Sequence, residues 1–405
     1  MVDFQTPKQK NYDVVIVGGA MYGSSVSWFT ANNPDFDGSI LVVERDPTYE
    51  ACSTSHTNSC IRQQFSNEIN VRISQFGAEF IKNFREFMGN DERVPDVVLQ
   101  SYGYMYMAAD EGFANTLRES QKIQQELGAG TKFMTADEIA RDYPFYNLEG
   151  IIGANHNLKD EGYFDGNTLF DWWKRSAREK GVEYCANEVT GMTLNAAGTA
   201  VESVTLKSGD VVTCGKVVNA SGPRAVLTSR MAGIEIPVEP RKRYTFIFDA
   251  AKPLDRDLPL TIDTSGVHMR TDGAYYLAGC PPFEEDDVPV DYNDFVEDQR
   301  VWEEKAWPAI ANRIPQFEAI KLVNSWAGHY AFNTLDQNAI VGPHTKVENF
   351  FFVNGFSGHG FQQSPAIGRG MSELLTYGEF RTLDLTPFHY DRIETGTRFL
   401  EKAII

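Results

Sequence analysis

The sequence predicts an α/β fold in two parts: a Rossmann-like dinucleotide-binding domain, and a second α+β domain with a mostly antiparallel sheet. Three observations predict it. First, an apolar, β-branched run at residues 12–17 leads through a glycine turn into a helix, and a second apolar run at 39–44 follows. Continuous apolar strands around a helix imply a βαβ unit whose parallel sheet is covered on both faces. Second, after Pro95 the texture changes to short strands separated by turn signals. Third, 405 residues is the length of about two domains.

Taken in order, the helix after the glycine turn runs over 24–32 and stops at Asn32-Asn33-Pro34. Residues 68–87 read as one helix. Residues 97–100 and 104–108 read as strands of the second layer, and 134–141 as a short helix capped by Thr135. A helix at 168–180 and a strand at 182–185 follow. Residues 201–207 and 211–213 form a hairpin around Ser208-Gly209-Asp210, and 217–220 is a buried strand running into Ser221-Gly222. Strands dominate 236–276, with 244–248 and 267–270 the clearest, and 274–278 follows. The acidic, proline-containing stretch 281–294 reads as a surface loop, 297–314 as a helix, 350–353 as a last apolar strand, and 364–375 as a helix. The alternation implies a cofactor domain from residues 1–93, 152–235 and 330–405, interrupted by a substrate domain from 94–151 and 236–329.

Composition excludes several classes. Lys and Arg number 37 against 56 Asp and Glu, a formal charge of −19, which argues against nucleic acid as a partner. No stretch approaches the roughly 18 apolar residues of a membrane span. The five cysteines are scattered, so neither a disulfide framework nor a metal site is expected. The polar first ten residues lack the apolar core of a signal peptide, and a cytoplasmic protein is the default expectation.

Two glycine turns carry the chemistry. Gly18, Ala20 and Gly23 occupy the G-x-G-x-x-G frame between strand and helix, with Met21 and Tyr22 inside the turn. The first glycine permits the tight turn, the second position sets how closely backbone approaches a pyrophosphate, and the third lets helix and strand pack. The Ala20 methyl departs from that pattern. Glu44 ends the second strand about twenty residues later, where a carboxylate accepts ribose hydroxyls and repels a 2′-phosphate. The second turn, Gly355-Phe356-Ser357-Gly358-His359-Gly360-Phe361-Gln362, lies between an apolar strand and a helix. Bare backbone N–H groups and a helix dipole there suit the pyrimidine edge of a flavin, where negative charge develops on reduction.

Residues 355–361 resemble the flavin-edge motif of the D-amino-acid-oxidase-like FAD-dependent oxidoreductases, in particular the sarcosine oxidase, glycine oxidase and dimethylglycine dehydrogenase group. The 18–23 turn, Glu44-Arg45-Asp46, Ser53-Thr54 leading to Ile61-Arg62-Gln63-Gln64-Phe65-Ser66, Asp160-Glu161-Gly162-Tyr163, Val218-Asn219-Ala220-Ser221-Gly222, and Trp326-Ala327-Gly328 through Thr334-Leu335-Asp336 extend the resemblance over nearly the whole chain. The resemblance implies FAD as cofactor. It places Arg45 beside the ribose carboxylate and Ser53, Thr54 and Ser55 at phosphate or ribityl oxygens. It runs Cys60, Ile61, Arg62 and Gln63 past the flavin ring. Val189 would meet the adenosine, and Ala220, Ser221 and Gly222 would close on the pyrophosphate. His56 matches a histidine that, in the dimethylglycine dehydrogenase group, bonds covalently to the flavin 8α-methyl. It either does so here or lines the cleft unlinked. Gln362 stands where sarcosine oxidase carries a lysine.

The same resemblance implies oxidation of a C–N bond in a small amino acid, secondary or N-methylated, by hydride transfer to flavin N5. The imine is then hydrolysed. A carboxylate-bearing amine needs a cation in its pocket. Arg62 is the first choice, with a structural ion pair as its alternative. His268, Arg270 and Tyr276 lie on strands that face the substrate in the family, and His329 lines the ring or the substrate pocket. Arg241-Lys242-Arg243 reads as a solvated loop. No lysine stands at Gly279-Cys280-Pro281-Pro282-Phe283, where sarcosine oxidase activates oxygen, so the electron acceptor is an electron-transfer protein or quinone in preference to oxygen. Oxidation of a 2-hydroxy acid, and a non-catalytic assembly protein that kept the FAD fold, are the competing readings.

Overall fold

The computed structural model describes residues 4–402. The predicted ends of the cofactor domain, 1–3 and 403–405, lie outside them. An all-apolar run has no face to give to solvent, so its strand must lie inside a sheet covered twice. β1 (Asn11–Val17) does, pairing in parallel with β2 (Ile40–Glu44) on one side and Val211–Asn219 on the other. α1 (Met21–Asn32) makes the crossover. Glu183–Ala186 extends the sheet beyond β2, and Phe350–Asn354 then Ile340–Pro343 extend it the other way. α1, Gly166–Glu179 and Gly360–Tyr377 cover one face around Trp28, Trp173, Ile367 and Met371. Val15, Leu41, Val217 and Phe352 face a second core on the other side. α1 and Gly360–Tyr377 touch closely enough that a Cβ on Gly368 would lie 1.9 Å from Ser25 Oγ.

The second sheet has the order Ile320–Asn333, Val238–Ala250, Tyr275–Cys280, His268–Asp272, Leu260–Ile262, Tyr104–Ala108, Gly153–Asn157, Lys132–Thr135. Every pair is antiparallel except Leu260–Ile262 with Tyr104–Ala108. The expected mostly antiparallel sheet is therefore present, with one parallel pair in it. Gly153–Asn157 and Ile320–Asn333 both pair here, so this sheet reaches past the predicted junctions at 152 and 330.

Several elements differ from the sequence reading. The 68–87 helix breaks at Asn83 into Glu68–Lys82 and Phe84–Phe87, because the Asn83 side chain and N–H both reach back to Glu79 O. Residues 97–100 form no strand; only Gln100 bridges to Tyr163. The hairpin arm at 211–213 and the strand at 217–220 are one strand, Val211–Asn219. Gly215 interrupts its apolar pattern at a point where a Cβ would lie 2.8 Å from Asp13 O. The 297–314 helix is a π segment, Val301–Ala306, followed by Trp307–Arg313, whose Pro308 has no N–H to donate back. Glu111–Glu126, capped by Asp110, was not legible because its buried stripe is thin and half polar: Ala114, Leu117, Ser120, Gln124. Thr135 caps Ala136–Asp142 as expected, in a reciprocal box with Glu138.

A buried pair ties the Arg392 segment to the turn that precedes Ile340–Pro343. Arg392 Nε donates to Asp336 Oδ2 at 2.7 Å, and its other N–H groups reach the carbonyls of Phe388 and Ala339. Asp336 in turn accepts from Asn333 and from the N–H groups of Asn338 and Phe399. Removing one partner leaves a buried charge unpaired, which costs about 3–5 kcal/mol. Arg392→Met should lower the urea-unfolding free energy by about that amount, and a change under about 1 kcal/mol would show the pair to be marginal.

Candidate cofactor and active site

One cavity runs from the C-terminal ends of β1 and β2 to the second sheet. Its first end is built by backbones in contact. Gly18 has φ +96°, and a Cβ there would lie 2.6 Å from Ala220 O; a Cβ on Gly23 would lie 1.9 Å from Gly18 O. α1 therefore starts at the tip of the sheet. Its N-cap, Ala20, offers no side-chain hydrogen bond, and its first turn carries no acid. Glu44 accepts the Gly19 N–H at 2.7 Å and the Asp46 N–H at 2.7 Å, and burial raises its pKa. Ala220, Ser221 and Gly222 form the facing wall, with Arg45, Arg224 and Val189 further along.

The other end repeats the device. Gly360–Tyr377 starts on the cavity with His359 as an N-cap that makes no side-chain bond and with no acid in its first turn. Gly358 has φ +94°, and a Cβ there would meet the Tyr330 ring at 2.5 Å. Tyr22 stacks on Phe356 at 4.0 Å and donates its hydroxyl to Gly360 O at 2.6 Å, locking the two helix starts together. An uncapped helix N-terminus has free N–H groups and the positive end of the dipole. Two of them at the ends of one cavity suit a ligand with a diphosphate and, farther along, a ring that takes up negative charge. FAD fits these residues.

Between the ends lies the 53–56 turn. Ser53 Oγ donates to His329 O at 2.6 Å, and Trp326 Nε1 donates to His56 O at 3.3 Å. Gly328 sits against this turn, and a Cβ on it would lie 2.8 Å from His56 Cβ. The Trp326-Ala327-Gly328 motif is thus the seat of His56. His56 Nδ1 lies 2.8 Å from Cys52 O, which can only accept, so Nδ1 carries a proton and in the neutral ring the lone pair is on Nε2. Thr54 Oγ1 accepts from the Met21 N–H, whereas Ser55 Oγ turns away to Tyr49 O.

The far end holds the expected substrate-side residues, with two exceptions, Arg270 and Tyr276. The Arg62 N–H donates to Gln362 Oε1 at 2.8 Å. The Arg62 guanidinium donates to Gln64 O and faces the rings of Phe65 and Tyr106 at 4.3 and 5.2 Å. Its loop is held by Glu161, which accepts from Gln63 N, Gln64 Nε2 and Asn157 Nδ2. Thr245 Oγ1 donates to Asn58 Oδ1, which turns Asn58 Nδ2 toward His268 Nε2 at 2.9 Å. His268 Nε2 is then an acceptor and Nδ1 carries the proton, buried with no protein partner among the described residues. Burial, with Arg270 nearby, pushes the His268 pKa down to about 4.

Tyr276 corrects the sequence reading. It pairs with Thr271, not with Arg270, so it shares a face with Met269 and turns from His268 into the core. There its hydroxyl accepts the Leu254 N–H and its ring packs on Phe317. Arg270 packs over the Tyr163 ring at 4.1 Å and pairs with Asp272. Gly23, Ser55, Ile61, Gln63 and Gly355 stand behind the cavity wall, while Cys60, Ser357, His359 and Phe361 line it. His329 lines it too, its Nε2 donating to Asp294 O at 2.8 Å and its ring stacked on Phe295 at 4.3 Å.

The sequence reading missed Asn58, Thr245, Arg224 and Arg243, and two rings from the acidic loop, Tyr292 and Phe295. It also placed Arg241, Lys242 and Arg243 in a solvated loop. They are in the Val238–Ala250 strand, and all three are ion-paired. A basic run with an acidic run about forty-five residues later was the available signal.

Residues 13–374 match the family described as FAD dependent oxidoreductase. The chain is 37% identical to FAD-dependent oxidoreductase domain-containing protein 1 of Xenopus laevis, over 97% of this chain and 85% of that one. It is 22% identical to sarcosine oxidase subunit beta of Arthrobacter sp, over 96% and 92%. The solved structure of L-proline dehydrogenase from P.horikoshii matches with a TM-score of 0.82 at 25% identity, covering 96% of this chain and 99% of that one.

The His268 environment has a pH signature. Its folded pKa, about 4, lies below the ordinary 6.5, so its contribution is complete above pH 6.5 and is lost as pH falls toward 4. Between pH 7 and about 4.5, wild-type protein should lose about 2–3 kcal/mol more unfolding free energy than His268→Gln, measured by urea denaturation. Equal losses would mean the imidazole is solvated.

Proposed function

The chain belongs to the FAD-dependent oxidoreductase family, and on that premise we propose that it oxidises the C–N bond of a small amino acid, secondary or N-methylated, with FAD as the electron sink. The observation that carries the reading is the pairing of two uncapped helix starts, at α1 and at Gly360, on one cavity whose far end presents Arg62, Gln362 and His268 together. The similarity to a sarcosine oxidase subunit and an L-proline dehydrogenase supports a secondary amine.

FAD supplies a hydride acceptor when bound. The protein's part is to hold and orient. Ala20, Tyr22 and Gly222 would take the pyrophosphate, with the Met21 N–H already held by Thr54 and the Gly18 N–H by Val43 O; Glu44 would take the ribose, and Ser357, Gly358 and Gly360 the pyrimidine edge. At that edge, the N-terminus of the Gly360–Tyr377 helix stabilises developing negative charge. His268 offers an N–H to substrate, so it orients an acceptor such as a carboxylate oxygen; its proton arrangement does not suit it to take the amine proton. Arg62 supplies positive charge toward the same anion; Arg243, ion-paired to Asp287, adds an Nε–H buried without a protein partner among the described residues. Tyr104, Tyr244 and Leu260 line the chamber with apolar surface that excludes water. No lysine lines the cavity among the described residues, which supports an electron carrier as acceptor in preference to oxygen.

Anaerobic titration of the flavoprotein with N-methyl amino acids, proline, D-amino acids and 2-hydroxy acids tests the reading. Bleaching of the flavin band by a secondary amino acid is expected. Bleaching only by a 2-hydroxy acid selects the alternative chemistry, and no bleaching by any of them removes the enzymatic reading. In the same preparation the free Nε2 of His56 predicts yellow colour that stays with acid-precipitated protein and vanishes in His56→Ala. Colour released from the wild-type pellet shows the histidine to be unlinked.

A further inference from the structure

The acidic stretch at 287–296 has no regular structure, yet it is pinned at every few residues to groups on or beside the cavity. Asp287 pairs with Arg243 at 2.9 Å, and its carbonyl accepts from Arg241. The Val290 N–H donates to Pro240 O at 3.0 Å. Arg224 donates to Asn293 Oδ1 at 2.8 Å and lies over the Tyr292 ring. Lys242 Nζ reaches Asp294 Oδ1 at 2.7 Å and Val296 O at 2.8 Å. Only Tyr292 and Phe295 turn inward to the cavity; Val288 and Val296 are exposed. Phe295 is stacked between His329, at 4.3 Å, and His56, at 5.5 Å.

The segment is therefore held mainly by charge, its apolar hold being Tyr292 against the core of the parallel sheet and Phe295 against the two histidine rings. Part-exposed ion pairs contribute on the order of 1 kcal/mol or less each and are screened by salt. Such a hold is firm as a set and open to release one pair at a time. A ligand as long as a dinucleotide must reach both glycine turns, and this segment forms part of the cavity wall between them through Tyr292 and Phe295.

We propose that residues 287–296 are a strap that closes the FAD cavity, that cofactor entry runs through its release from Arg241, Lys242 and Arg243, and that Phe295 then seals the mouth between His56 and His329. The proposal rests on the FAD reading above. Lys242→Ala and Asp294→Asn each remove the same pair but change the net charge in opposite directions. A shared effect of the two is thus strap release and not altered attraction of the anionic cofactor.

The test is the rate at which apoprotein, produced without riboflavin so that no flavin is yet linked, takes up FAD, followed by flavin fluorescence across a NaCl series. Both variants should bind FAD about 3–10-fold faster than wild type at low salt, and the wild-type rate should rise toward theirs as salt screens the pairs. The double exchange Lys242→Asp with Asp294→Lys should restore slow uptake. Chymotrypsin should cut after Tyr292 or Phe295 sooner in the single variants than in wild type. Equal uptake rates at all salt concentrations overturn the strap while leaving FAD binding intact. Failure of wild-type protein to bind FAD at all overturns both the strap and the reading beneath it.

Discussion

Three backbones meet at the tip of the parallel sheet, and the rest of the molecule is arranged around that meeting. Gly18 lies against Ala220, and Gly23 against Gly18, at distances no side chain could share. Because the turn is this tight, α1 begins where β1 ends, and its unsatisfied N–H groups open on the cavity instead of being capped by the chain that precedes it. A bulkier residue at either glycine would have to push α1 off the sheet, and with it Tyr22, whose ring and hydroxyl hold Phe356 and Gly360 in place. The second helix start, more than three hundred residues away in sequence, is thus positioned by the first.

The second sheet joins this frame by the same kind of close approach. Gly328 clears room for His56, Gly358 for Tyr330, and Gly279 for His268, whose Nε2 would lie 2.5 Å from an added Cβ. In each case a glycine on one segment lets a ring from another reach the cavity. The rings are consequently held by neighbouring backbone as well as by hydrogen bonds. This is why the substrate-side donors have defined proton positions: Thr245 fixes Asn58, Asn58 fixes His268, and the free N–H is left on the side with no protein partner.

How much of this the sequence shows depends on the range of the interaction that decides it. The βαβ unit, both glycine turns and the Thr135 cap are settled by stretches close in sequence, and all were legible. Tyr276 was not, because its face depends on which residue of His268–Asp272 it pairs with, and alternation along one strand carries no register across a turn. Ile320–Asn333 was not, because it is an edge strand whose apolar residues, such as Leu322, Val323, Trp326 and Ala327, do not alternate with polar ones. Arg241, Lys242 and Arg243 looked like a solvated run because the carboxylates that neutralise them come from the segment near Asp287 and Asp294. Each of these depends on a pairing between separate strands or segments, across one turn for Tyr276 and over tens of residues for the others, and such pairings have no pattern along one strand.

That last pairing also bears on how an acidic protein holds an anion. The chain carries a net charge of −19, so its long-range field repels a dianionic cofactor and a carboxylate substrate alike. The cavity answers with Arg45, Arg62, Arg224 and Arg243 on its lining. Asp287 sits on Arg243, and Asp294 on the neighbouring Lys242, so two cations at the mouth are neutralised by the segment that covers it. A charge beyond a Debye length, about 8 Å at physiological salt, is largely screened, whereas one beside the mouth acts nearly unscreened on a ligand in contact with it. Recognition of an anion is therefore decided by which carboxylates stand at the opening and not by their total over the surface. Moving 287–296 away would leave the mouth more positive at the moment an anion has to pass, and bringing it back would return the balance once the anion is inside.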